Sequence, residues 1–162
     1  MSGKNEPVSK SQTKFLNQTH PKNQKNKTNQ LNQTNQQTIL VAVSDVFFYT
    51  KIRDALLPKG YRLDRVRTQS EVSEKAAAVH PVAMILNMND ATLDAFQALE
   101  QIKGSDRLKT IPILAFANHE EVETWKRAKE LGVTKIVSRN EFSSRTRDLV
   151  EELLSEQPTA SS

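Results

Sequence analysis

The chain has 162 residues, a formal net charge of +4 and no cysteine. That length holds one ordinary domain of about 120 residues and a tail, and the missing cysteines exclude disulfides and thiolate metal sites. No apolar run nears the roughly 20 residues that span a bilayer, and the opening segment lacks the apolar centre of a secretion signal, so a cytoplasmic protein without a membrane partner is expected.

The positive charge is unevenly placed. Lys4, Lys10, Lys14, Lys22, Lys25 and Lys27 face only Glu6 at the start of the chain, and the remainder is close to neutral with acidic residues slightly ahead. Residues 1–37 are dominated by Asn, Gln, Lys, Ser and Thr, with Phe15 and Leu16 almost their only large apolar residues. Such a segment cannot offset the entropy of ordering and is expected to be disordered, as is the short stretch 157–162. The triplets at Asn17, Asn26 and Asn32 match glycosylation acceptors formally; in an Asn/Thr-rich tract chance accounts for them. The Lys-rich tail can attract polyanions weakly. No recognition helix or stacking-aromatic module points to a specific nucleic acid.

From Thr38 onward the texture is that of a folded domain, 38–156. Ile39 to Val43 is a continuous apolar run, the pattern of a parallel strand buried on both faces. A helix is predicted over Phe47 to Lys59, with Phe48, Ile52 and Leu56 on one face and Pro58 and Gly60 ending it. Tyr61 to Val66 alternates as a half-buried edge strand does. Thr68-Gln69-Ser70-Glu71 has the form of a capping box opening a helix that runs through Val79.

Val82 to Leu86 is the next apolar strand, followed by a helix over Leu93 to Lys103 that Gly104 ends. Ile111 to Phe116 is a further apolar run, with Pro112 at its start, where proline is tolerated. Asn118 can cap a helix over Glu120 to Leu131, stopped by Gly132. Lys135 to Val137 is a short fifth strand, and Ser143 to Leu154 a last helix. Strand and helix thus alternate five times, which predicts an α/β fold: a five-stranded parallel sheet with helices on both faces. Gly60, Gly104 and Gly132 all read as C-caps, leaving no glycine for a phosphate-cradling loop; a Rossmann fingerprint or P-loop is excluded.

In an open parallel sheet function collects at the carboxyl ends of the strands. Those ends fall at Ser44-Asp45, at Asn87 with Met88, Asn89 and Asp90, at Ala117-Asn118, and at Ser138-Arg139-Asn140. The order of elements, the Leu93-Asp94-Ala95 stretch and the Ala128-Lys129-Glu130-Leu131-Gly132-Val133 stretch resemble the receiver domain of bacterial response regulators, a flavodoxin-like (βα)5 fold, over essentially all of 38–156. The resemblance implies a phosphorylation pocket made of an acidic pair, an acceptor aspartate, a hydroxyl residue and a lysine. At those positions stand Ser44-Asp45, Asn87, Ala117 and Arg139, with Asn89 beside the acceptor position and Asn140 where a proline follows the lysine.

These departures have chemical consequences. A carboxamide is a poor nucleophile, so Asn87 cannot form an aspartyl phosphate. Fewer anionic oxygens weaken the hold on a hard divalent cation, and Ala117 has no hydroxyl. Arg139 is expected to pair with Asp45 across the pocket. Neither catalysis nor a metal or cofactor is expected. Asp90 and Asp94 near Asp45 raise a rearranged metal site as a rival to ordinary loop and helix-start carboxylates. His80 and His119 lack motif partners, and Ser44 has no nucleophile elbow.

The resemblance further implies an output surface on the fourth helix, fifth strand and fifth helix. Trp125, Lys126, Lys129, Ile136 and Arg147 are its candidates here, against a plain inward stripe of Val122, Trp125 and Ala128. At least one of Phe47, Phe48 and Tyr49 must reach solvent or the pocket mouth, since consecutive helical positions point about 100° apart. The expected role is an atypical stand-alone receiver in phosphorelay-type signalling. It would contact a histidine kinase, an output protein or a second copy of itself, with no output domain after the fifth helix. The rival is a regulator whose altered pocket holds a small anion against Arg139.

Overall fold

The computed structural model describes residues 36–156. The expectations of disorder for the two ends lie outside these residues, apart from Gln36 and Gln37. Five strands, β1 (Thr38–Ala42), β2 (Arg62–Val66), β3 (Ala83–Asn87), β4 (Ile113–Ala117) and β5 (Lys135–Ser138), form one sheet in the order β2-β1-β3-β4-β5. All four pairings are parallel. The connecting helices are α1 (Val46–Leu56), α2 (Gln69–Val79), α3 (Ala95–Lys103), α4 (Val122–Leu131) and α5 (Arg139–Ser155). Among the described residues no helix is long and apolar enough to cross a membrane.

The continuous apolar runs exist because each central strand feeds two cores. Side chains alternate along a strand, so Ile39, Val41, Ile85, Leu114 and Phe116 join Phe48, Ile52 and Leu56 of α1 and Phe142, Leu149, Val150 and Leu153 of α5. Leu40, Ala42, Met84, Leu86, Ile113 and Ala115 turn to the other face, against Val72 and Ala76 of α2, Leu99 and Ile102 of α3, and Ala128 of α4. At the centre of the first core Phe116 lies between Phe48 and Phe142, with ring centroids 4.9 and 4.2 Å away.

Several local expectations need correcting. Glu71 does not close a capping box on Thr68: its carboxylate accepts from the Arg67 N–H at 3.4 Å, and the Thr68 hydroxyl turns to Ser70. Gly60 and Gly132 are left-handed C-caps at φ +93° and +102°, but Gly104 caps α3 in the right-handed region. His80 takes the left-handed cap of α2 at φ 49°, a conformation tolerated in histidine more than in most side chains. The last helix begins four residues before its expected start, because the Ser138 hydroxyl accepts from the Glu141 N–H at 3.1 Å and opens α5 at Arg139. That helix bends at Arg145 (φ −130°), whose guanidinium bridges Glu141 and Glu152.

Candidate functional site

The strand order reverses between β1 and β3, so the crevice for ligands lies beyond their carboxyl ends. Register decides which side chains stand there. Ala42 is opposite Leu86, so the next residue, Val43, comes level with Asn87. Val43 is fully buried in the α1–α5 core and brings no carboxylate. Asp45 is two residues further on, where its side chain caps α1 by accepting from the Phe48 N–H at 3.1 Å.

Asn87 is 5 % exposed at the tip of β3. Its Oδ1 accepts from the Asn89 N–H at 3.0 Å and its carbonyl from the Asp90 N–H at 3.2 Å, curling the following loop. Asp90 then reaches back to β1. It accepts from the Ser44 hydroxyl at 2.6 Å, the Ser44 N–H at 2.7 Å, the Leu93 N–H at 2.9 Å and the Thr92 N–H at 3.0 Å. Burial pushes the Asp90 carboxyl's pKa up, but the Ser44 hydroxyl and N–H with the Leu93 and Thr92 N–H groups outweigh it and hold the pKa below its ordinary value. Four donors match the roughly four lone-pair sites of a carboxylate.

Two neighbours tighten this rim. Arg65 of β2 donates to the carbonyls of Val43 at 3.3 Å and Ser44 at 2.8 Å while covering the Tyr49 ring. On the other side Asn89 accepts from the Asn118 N–H and donates to Glu121, both at 2.7 Å. The Trp125 indole N–H donates to the Asn118 carbonyl at 3.0 Å. Three loops are therefore joined in series by side chains. Sequence reading gave Arg65 and Asp90 no such part, since Arg65 and the Ser44 bonds of Asp90 act across separations no local motif spans; Ser44 to Asp90 is 46 residues.

Ala117 is fully buried. Arg139, the first residue of α5, is exposed and stands over the Phe48 ring, 5.2 Å from its centroid. No carboxylate among the described residues lies within ion-pair distance of it, and the expected bridge to Asp45 is not made. Arg139 instead lines an open cleft of about 430 Å³ with Phe47, Phe48, Asn118, His119, Asn140 and Ser143. Phe47, 61 % exposed, is the aromatic that reaches solvent.

The residues expected to form an output face are not gathered into one patch. Trp125 and Ile136 are half-buried against the α2–α4 core. Lys126 and Lys129 are exposed on α4. Arg147 lines a separate groove between α1 and α5 with Asp54, Pro58 and Lys59. The rival inward stripe holds for Trp125 and Ala128 but not for Val122, which is 68 % exposed.

The strand order, the five helices and the position of the crevice define a receiver-type (βα)5 fold, and solved structures agree. A phosphorylated cyanobacterial phytochrome response regulator superposes with a TM-score of 0.67 at 19 % identity, covering 76 % of this chain and 97 % of its own. The receiver domain of a signal transduction histidine kinase from Syntrophus aciditrophicus gives 0.66 at 19 % identity, covering 76 % and 96 %. The receiver domain of a sensor histidine kinase from Pseudomonas aeruginosa, which has magnesium in its active-site cleft, gives 0.66 at 16 % identity, covering 75 % and 99 %. No protein-family model matches the sequence, nor does any curated protein.

The residues at this crevice do not fit such a cation. Among the described residues no three His, Cys, Asp or Glu side chains come together. Of the nearby carboxylates, Asp90 uses both oxygens on Ser44, Thr92 and Leu93, while Asp45 and Asp94 each use one oxygen as a helix cap. A hard divalent ion needs anionic oxygens free to face it.

Proposed function

We propose that the chain is an atypical receiver-fold module of phosphorelay-type signal transduction that acts in the cytoplasm through protein contacts. It uses no aspartyl phosphate and performs no catalysis. The observation that carries this reading is the carboxamide of Asn87, buried at the tip of β3. Beside it, past the end of β1, stand the aliphatic Val43 level with that tip and an Asp45 whose Oδ1 caps α1. A carboxamide has no anionic oxygen to attack a phosphorus centre, and the buried Ala117 has no hydroxyl to follow a phosphoryl group.

The partner class, a histidine kinase or another signalling protein, rests on the likeness of fold. Val46 and Phe47, 68 % and 61 % exposed, give the rim apolar surface for such a contact. Incubation with acetyl phosphate and Mg²⁺, read by intact mass, is the test. The expected result is an unchanged mass. One phosphoryl group per chain, released by hydroxylamine, overturns the proposal.

A further inference from the structure

The rim of the sheet divides into spent and unspent groups. Asp90, Asn89 and Asn118 use their polar side-chain atoms on neighbouring loops, and Arg65 and Arg145 donate to carbonyls and carboxylates. Arg139 differs. Its guanidinium carbon stands 5.2 Å from the Phe48 ring centroid, and among the described residues none of its N–H donors has a protein acceptor. The Asn140 side chain and the Ser143 hydroxyl, which line the same cleft, likewise show no protein partner among those residues. No carboxylate lines the cleft, and Phe47 exposes its ring at the mouth.

A guanidinium whose N–H groups have no protein acceptor can present them in pairs, a fork matched to a carboxylate or phosphate. A volume of about 430 Å³ lies within the ordinary range of small-molecule sites. We infer that this cleft binds a small organic anion, its oxyanion head held by the edge of Arg139 with Asn140 and Ser143, and its flat apolar body lying against Phe47. The site needs no metal and no covalent step. It is independent of the phosphate-free reading, because a chain that accepted phosphate would refute that reading and leave this one standing.

The experiment titrates the full-length protein with benzoate and, separately, with phenyl phosphate, followed by amide chemical shifts. Benzyl alcohol serves as the neutral control and acetate as the control without an aromatic body. Saturable shifts at Phe47, Asn118 and Arg139 to Ser143 are expected from the two aromatic anions, and only slight shifts from the controls. The stronger of the two identifies the preferred head group. Arg139→Gln weakens binding about tenfold or more, Arg139→Lys by less because it keeps charge but not the fork, and Phe47→Ala by roughly threefold. Both Arg139 and Phe47 are exposed, so these variants are expected to fold, and an unchanged amide spectrum away from the cleft verifies it. Absence of saturable shifts through the millimolar range, equal shifts from benzyl alcohol, or undiminished binding in Arg139→Gln overturns the inference.

Discussion

Replacing Asp90 by asparagine tests whether the loops at the sheet edge are held as described. In the native chain Oδ1 accepts from the Ser44 hydroxyl, the Thr92 N–H and the Leu93 N–H, while Oδ2 accepts from the Ser44 N–H. Asparagine has one acceptor oxygen. Keeping it toward the three donors turns its NH₂ onto the Ser44 N–H, donor against donor. A hydrogen bond to a charged group contributes about 1.5–3 kcal/mol, and partial exposure of the site discounts it, so the loss is about 2 kcal/mol. For a domain of this size that lowers Tm by roughly 8 °C. Asp45→Asn and Asp94→Asn are the controls. Each caps a helix through one bond, asparagine caps as well as aspartate, and both stay within about 0.5 kcal/mol of the parent.

The same variant carries a pH signature. The folded pKa of Asp90 is depressed, so its contribution is complete above the unfolded-chain value of about 3.9 and is lost as pH falls through the folded value. The stability gap between parent and Asp90→Asn is therefore constant from neutral pH down to about 4 and narrows below it. Urea unfolding at a series of pH values measures the gap. A gap under about 0.5 kcal/mol at pH 7, or one that does not narrow in acid, refutes the account of this loop junction.

Restoring a carboxylate with Asn87→Asp is expected to give no Mg²⁺-dependent phosphorylation by acetyl phosphate, because Ser44 leaves the acid pair one carboxylate short and Asp45 caps α1. Its near-complete burial raises the new carboxyl's pKa, so stability at pH 7 falls by about 1–3 kcal/mol and recovers as the pH drops toward 5. Trp125→Phe removes the indole bond to Asn118 and costs about 0.5–1.5 kcal/mol, read by circular dichroism because the chain's single tryptophan is lost. Gly132→Ala must hold φ near +102° with its Cβ 3.1 Å from Lys103 Cε; a loss of about 1–2 kcal/mol is expected by urea unfolding.

The layout was legible because its signals are local. Ile39 to Val43, Met84 to Leu86 and Ile113 to Phe116 are apolar throughout since both faces of the sheet are covered, and the left-handed glycines 60 and 132 mark two helix ends. Helix starts were less legible where two signals competed. Thr68 and Glu71 had the box pattern without the bonds, whereas Ser138 and Glu141, also three residues apart, made the cap that extends α5 by a turn. That second pair was the readable sign of the earlier start. The site was legible in residue type at Asn87, Ala117 and Arg139. It was not legible in pairing, because a carboxylate takes whichever donors come nearest in space. For Asp45 those belong to its own helix, and for Asp90 to its own loop and to Ser44, 46 residues away.

A switch needs two arrangements of similar energy. The chain of ties from Arg65 through Ser44, Asp90 and Asn89 to Asn118 and Trp125 favours one arrangement at every link. Under the proposed reading, a module built this way conveys little by changing shape. Its message under the proposed reading is its abundance: how many copies the cell makes, and how many docking places they take from a rival.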